Sequence, residues 1–264
     1  MSPRVLSALA LLPIVVGVVG WLPPWGTVTL ALFVLVLAMR EYLLLVEGDT
    51  AGLPRALVQA AAIIVYLAVA LAPGGDVEIP LLAAVIAIGA AEIGRARPEA
   101  DVARRLGVSI LPLLYVALPL GVIVATRGQW GAGPVFALLF TVMASDVAQY
   151  YGGRLLGRRP FAPVISPKKT VEGALSGFAA GILVLPVLGR LWLPAHPAWM
   201  LGALGATLAA AGIAGDLLES LLKRSAGVKD ASGLIPGHGG MLDRIDSLLF
   251  AGPVFYMYLR LAGQ

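Results

Sequence analysis

Nine apolar stretches constrain this chain more than any other feature: Val5–Leu22, Trp25–Val46, Arg55–Leu71, Ile79–Ile93, Leu106–Thr126, Gly133–Gly152, Val171–Leu193, Ala198–Leu222 and Ser247–Ala262. Wound as helices they suit a crossing of about 30 Å of hydrocarbon, the fourth being the shortest. With 59% hydrophobic and 13% charged residues, and a mean hydropathy of +0.91, the chain has too little polar surface for a water-soluble domain of its size. The expectation is an all-α polytopic integral membrane protein with about nine transmembrane helices. No small-residue cleavage site separates the first stretch from the second, so the first reads as a retained helix.

Charge tests that count, because loops rich in Lys and Arg stay cytoplasmic. With the N-terminus inside, the inner regions carry Arg4; Arg40 and Arg55; Arg95, Arg97, Arg104 and Arg105; Arg154, Arg158, Arg159, Lys168 and Lys169; and Lys223, Arg224, Lys229 and Arg244. Only Arg127, Arg190 and Arg260 of the 19 basic residues fall outside. One span more or fewer breaks the alternation, so the N-terminus is expected in the cytoplasm and the C-terminus outside. The short outer loops Leu22–Trp25 and Leu193–Trp199 combine Pro and Trp, as tight interfacial turns do. Glycines and alanines inside the stretches suit close helix packing in lipid.

Residues 1–105 read as a scaffold of about four helices. Arg40 and Glu41 sit near the inner end of the second, where an arginine snorkels to the interface, and Arg95–Arg105 reads as a solvated, mixed-charge loop. No internal repeat is evident. Residues 106–264, about five helices, carry the chemistry, with cytoplasmic loops at 153–170 and 223–246.

Carboxylates mark that second region. Asp146 shares a helix face with Gln149 and Tyr150, Asp216 with Glu219, and Asp243 with Asp246. A carboxylate within a membrane helix costs on the order of 3 kcal/mol. One such residue is explained by a neighbouring Lys or Arg; five near one membrane face point to a shared site. The chain has no cysteine, which leaves oxygen as the metal-ligand chemistry. Mg²⁺ takes one or two carboxylates together with phosphates and water. Asp216, Asp243 and Asp246 can supply these from two helices joined by one loop, with Asp146 and Glu219 as further candidates.

That joining stretch, Ser220–Asp246, holds Lys223, Arg224, Lys229 and Arg244, three carboxylates, His238 and five glycines. Arg meets phosphate through a fork and Lys as a point charge. Gly237, Gly239 and Gly240 allow backbone N–H groups to gather around an anion. His238 can orient the turn or touch phosphate, and no proton transfer is assigned to it. A second cluster runs Gly152-Gly153-Arg154-x-x-Gly157-Arg158-Arg159 and Ser166-Pro167-Lys168-Lys169-Thr170-Val-Glu172-Gly173. Ser166 before Pro167 reads as a helix start, with Thr170 and Glu172 as caps. Adjacent lysines at a helix entrance are disfavoured by the dipole unless an anion binds there.

These residues resemble a known family. Gly215-Asp216-x-x-Glu219-Ser220-x-x-Lys223-Arg224-x4-Lys229-Asp230, continuing into Pro236-Gly-His238-Gly-Gly-x-Leu-Asp243-Arg244-x-Asp246-Ser247, is similar to the signature of phosphatidate cytidylyltransferases. Asp146-x-x-x-Tyr150-x-x-Gly153-Arg154 and Ser166-Pro-x-Lys169-Thr170 resemble that family's second characteristic region. The motifs cover about the last 120 residues; the first half matches only as a string of apolar helices. The resemblance implies that CTP and phosphatidate give CDP-diacylglycerol and pyrophosphate with Mg²⁺, a second cation being left open. It implies a homodimer in the cell membrane with its site facing the cytoplasm, and no nucleic-acid partner. Asp216, Asp243, Asp246, Lys223 and Arg224 are then the catalytic candidates. Ser166, Lys168, Lys169, Thr170, Arg154, Tyr150, Lys229, His238, Gly239, Gly240 and Arg244 are the candidates for holding phosphate and nucleotide. Gln149 departs from the alanine of many bacterial members, and a polar group beside Asp146 can alter which lipid phosphate or nucleotide is accepted. A cation-coupled transporter is the competing expectation; it would place its polar groups near mid-membrane, whereas these cluster toward one face.

Overall fold

The computed structural model describes residues 3–46, 53–72, 75, 77–95, 101–229, 231–232 and 239–262, with side chains from residue 12 onward. The elements are α1 (Pro3–Trp21), α2 (Pro24–Val46), α3 (Arg55–Leu71), α4 (Glu78–Gly94), α5 (Val102–Pro112), a π-helical turn (Leu113–Ala117), α6 (Leu118–Trp130) and α7 (Ala132–Leu156). A two-stranded hairpin follows, β1 (Pro160–Ala162) and β2 (Ser166–Thr170), then α8 (Val171–Trp192), α9 (Ala198–Ser225) and α10 (Leu242–Leu261). Each expected apolar stretch falls on helix to within a residue at its ends. The reason is general: in lipid, helices alone satisfy the backbone of a single segment from within. Among the described residues five helical runs are long and apolar enough to cross a membrane: Pro24–Val46, Val102–Trp130, Ala132–Leu156, Val171–Trp192 and Ala198–Ser225.

The chain divides into two compact units, Met1–Gln129 with Asp230–Arg244, and Trp130–Lys229 with Ile245–Gln264. In the first, α2, α3, α4 and the run from α5 to α6 bury Leu35, Met39, Tyr42, Val65, Tyr66, Ile88, Leu113 and Val116. The two tyrosines are fully buried, and each hydroxyl donates to a backbone carbonyl, Tyr42 to Val108 at 3.3 Å and Tyr66 to Val28 at 2.7 Å. Pro112 has no N–H for the helical ladder. Directly after it the helix widens, Leu118 N–H reaching back to Leu113 O, as π-turns do where the ladder is interrupted. Arg127 gives its guanidinium to carbonyls at the end of α1, Val19 at 3.0 Å in its last turn and Leu22 at 3.4 Å just beyond it, where helical carbonyls run out of intrahelical partners.

Arg105 corrects the reading of Arg95–Arg105 as a solvated loop. It lies in α5, is 6% exposed, and bonds Glu92 of α4 through Nε at 2.7 Å and Nη2 at 2.6 Å. Arginine here neutralises a carboxylate that the bundle has already buried. Residues 96–100 of that stretch lie outside the described residues.

The second unit is built on close helix approach. Gly181 of α8 and Gly205 of α9 face each other so tightly that a Cβ on either would meet the other's backbone. Small residues bring helices together in this way where lipid supplies no hydrophobic drive. Trp192, at the end of α8, stacks on Phe140 with centroids 6.3 Å apart and packs beside Phe136 at 5.8 Å. Trp199 remains 75% exposed, as an interfacial anchor requires. α9 stops through Gly227 at φ 71°. Gly227 N–H bonds Arg224 O and Val228 N–H bonds Lys223 O, the paired closure that a left-handed glycine permits.

Between α7 and α8 the chain forms the antiparallel hairpin, Pro160 pairing with Thr170 and Ala162 with Ser166. Ser166-Pro167 is therefore strand, not helix start. The start comes four residues later: Thr170 caps α8, its Oγ1 accepting from Gly173 N–H at 3.1 Å. Glu172 does not share in that cap. Its Oε2 accepts from the backbone N–H groups of Arg158 and Arg159, at 3.0 and 3.2 Å, and so pins the entrance to the hairpin.

Candidate active site

Three helices of the second unit bring carboxylates to one place. Asp216 on α9 bonds Lys169 at 2.6 Å, the lysine reaching in from β2, and accepts from Ser220 Oγ one turn on at 3.4 Å. Glu219, 0% exposed, pairs with Lys223 one turn along the same helix. Asp146 on α7 accepts from Gln149 Nε2 at 3.1 Å and from the Ser247 side chain. Asp246 on α10 feels the charges of Asp216, Asp146 and Lys223; its Oδ1 takes Ser247 N–H at 2.7 Å. Gly215 allows this gathering, since a Cβ there would strike the Asp246 carbonyl.

Four carboxylates, Asp146, Asp216, Glu219 and Asp246, stand with two lysines, Lys169 and Lys223. With the Lys169 and Asp216 side chains only 20% and 34% exposed, like charges held this close are relieved by a bound cation or by protons. The donors are all oxygen, as Mg²⁺ requires. Among the described residues no three acidic or imidazole groups gather as a complete metal cage. Mg²⁺ commonly takes only one or two carboxylates and completes its shell with phosphate and water, so the donor chemistry fits it.

The remaining candidates surround this cluster or stand apart from it. Lys168, Arg154, Tyr150 and Lys229 are exposed. Lys169, expected beside an anion at the α8 entrance, pairs with Asp216. Arg224 donates to Ile165 O at 3.4 Å and Val228 O at 3.3 Å, which ties the end of α9 to the hairpin. Asp243, Arg244, Gly239 and Gly240 belong to the first unit. There Asp243 Oδ2 accepts from Gly240 N–H at 2.7 Å and Ala231 N–H at 3.2 Å, and Gly239 turns the chain at φ 75°. His238, with Pro236 and Gly237, lies outside the described residues.

Sequence reasoning overlooked three groups. Ser247 stands in the signature and at the start of a span without a role of its own, and Glu172 reads only as a cap. Glu41 was assigned to scaffold although it is 3% exposed. The signal for Glu41 was present: a carboxylate within an apolar stretch, even near its inner end, carries a cost like those in the later helices.

The profile of the cytidylyltransferase family matches residues 2–262. The chain is 42% identical over 135 residues to the uncharacterized protein YnbB of Escherichia coli, a match covering 51% of this chain and 45% of that protein. It is 39% identical over 161 residues to a phosphatidate cytidylyltransferase of Pseudomonas aeruginosa, covering 61% and 59% of the two. With a phosphatidate cytidylyltransferase of Helicobacter pylori it shares 41% identity over 142 residues, 54% and 53% of the two. The chain thus spans about half the length of the curated relatives it matches.

Proposed function

We propose that this chain, which belongs to the cytidylyltransferase family, is a multi-pass membrane nucleotidyltransferase that joins CTP to phosphatidate, yielding CDP-diacylglycerol and pyrophosphate. The single observation that carries the reading is the gathering of Asp146, Asp216 and Asp246 within one another's field, with Lys169 paired to Asp216. Such a site is matched to a divalent cation bearing phosphates. The names of the relatives from Pseudomonas and Helicobacter support the choice of phosphatidate.

In this reading Lys169 and Lys223 meet phosphate oxygens as point charges. Arg154, Lys168, Arg224, Lys229 and Arg244 gather the triphosphate from the loops at 153–170 and 223–246. Ser166, Thr170, Gly239 and Gly240 offer hydroxyl and backbone donors, and Tyr150 and His238 border the nucleotide. A lipid phosphate oxygen, already ionised near neutral pH, attacks the α-phosphorus of CTP. The new P–O bond forms as the bond to pyrophosphate breaks, so no strong general base is needed. Mg²⁺ would be held by Asp146, Asp216 and Asp246, with Asp243 and Glu219 as further donors that leave room for a second cation, and would offset charge on the transferred group.

The same proposal sets nine crossings, a cytoplasmic N-terminus and site, an outer C-terminus and a homodimer. It divides the labour at residue 105 between scaffold and catalytic helices. Gln149, bonded to Asp146, is the reason to test more than one acceptor. Purified protein in nanodiscs with Mg²⁺ and CTP is expected to release pyrophosphate with phosphatidate in a panel of lipid phosphates. Silence with every acceptor, under conditions where the Pseudomonas relative turns over, removes the activity; release with another acceptor alone reassigns the lipid. Because the chain has no cysteine, single cysteines placed in the 153–170 loop and at 195 report sidedness directly.

A further inference from the structure

Glu41 sits on α2 among the buried residues Ala38, Tyr42 and Leu45. A carboxylate buried to this extent is costly unless its oxygens are satisfied, and its partners come from 200 residues along the chain. Oε1 accepts from the Ser232 hydroxyl at 2.6 Å and from Met241 N–H at 2.9 Å; Oε2 accepts from Leu242 N–H at 2.8 Å. Met241 precedes α10 and Leu242 opens it. The N–H groups at a helix start have no carbonyl within the helix to take, and negative charge there is favoured by the helix dipole.

The contact also accounts for a glycine of the signature. A Cβ on Gly240 would stand 2.5 Å from Glu41 Oε2 and 2.8 Å from its carboxyl carbon. Only a residue without a side chain lets this turn close on the carboxylate. Asp243 grips the same turn from α10, through Gly240 N–H and Ala231 N–H. Two carboxylates, Glu41 from α2 and Asp243 from α10, thus take the successive N–H groups of Gly240, Met241 and Leu242.

We propose that Glu41 is a positioning residue: it clamps the Gly239–Leu242 turn and so fixes the direction in which α10 begins and presents Asp243. Its catalytic consequence rests on the function proposed above; the clamp itself does not. Glutamine is the informative replacement. It keeps the shape but offers one acceptor oxygen to three donors, and its amide N–H₂ faces a backbone N–H. Aspartate keeps the charge and falls short by one methylene.

The test uses the full chain in nanodiscs, comparing wild type, Glu41→Gln and Glu41→Asp by amide hydrogen exchange and by steady-state pyrophosphate release. For Glu41→Gln, exchange at Ser232 and Met241–Asp243 is expected to rise about tenfold or more, with α7, α8 and α9 within about twofold. Its kcat is expected to fall about tenfold to a hundredfold while KM for CTP stays within about threefold. Glu41→Asp is expected to recover part of both effects and supplies the same measurement if the glutamine variant does not fold. Unchanged exchange at those amides, or a rise spread equally over all helices, overturns the clamp. A loosened turn with unchanged kcat overturns the positioning role. A wild type that releases no pyrophosphate defeats the proposed function instead, and the exchange measurement then decides the clamp alone.

Discussion

The two units of this chain treat buried charge in opposite ways. In the first, Glu92 closes on Arg105 at 2.6–2.7 Å, and Glu41 meets two backbone N–H groups and a hydroxyl. In the second, four carboxylates share two lysines, and Asp246 lies within the field of both Asp216 and Asp146. Like charges held together raise the free energy of the fold, so a unit shaped for stability alone would separate them. Paired or hydrogen-bonded charge in the first unit supports structure. In the function proposed above, the crowded carboxylates of the second meet a cation-bearing ligand.

The sharpest way to break that contrast is to neutralise one carboxylate of that cluster. Asp216→Asn and Asp246→Asn are each expected to lower kcat for pyrophosphate release by about a thousandfold or more. Thermal unfolding of Asp246→Asn should stay level or move upward, because a like charge has gone, whereas Asp216→Asn also takes the counter-ion from Lys169 and should lower it modestly. A melting temperature of Asp246→Asn that fell in step with activity would place that residue with structure. In the first unit the opposite outcome is expected. Glu92→Gln leaves Arg105 buried without its counter-ion, at a cost of about 3–5 kcal/mol, read as lower unfolding stability with kcat per folded molecule unchanged.

Smaller effects sharpen how the second unit holds its cluster. Gly205→Ala drives a methyl into the Gly181 backbone and is expected to cost about 1–3 kcal/mol by overpacking, measured by denaturation in detergent. Thr170→Ala removes the α8 cap and should cost about 1 kcal/mol. Lys169, one residue before Thr170, would then lose some of its aim at Asp216, which a modest rise in KM for CTP would report.

Much of this was legible before any coordinates. Apolar length and continuity are local properties, so each stretch could be placed on helix within a residue or so. The membrane cost of a carboxylate singled out Asp146, Asp216, Glu219, Asp243 and Asp246; Asp146, Asp216 and Asp246 lie within one another's field, whereas Asp243 holds the backbone of Ala231 and Gly240. The hairpin was not legible. Ser166-Pro167 matches a helix start as well as a strand, and the choice depends on Pro160–Ala162 being available to pair with it. Arg105 was likewise misread, because a charged run looks solvated until a buried Glu92 is found beside it.

By itself the amino-acid order determined which segments are helical, that they belong in lipid, and that acidic and basic groups recur where two of the polar loops begin and end. These follow from the hydrophobic length and backbone self-sufficiency of each segment taken alone. Only the tertiary structure decided which charge answers which. Lys169 went to Asp216, Arg105 to Glu92, and Glu41 of the second helix to the start of the tenth, 200 residues on. Ion pairs and hydrogen bonds form within about 3 Å, and at that range spatial neighbours matter and distance along the chain does not.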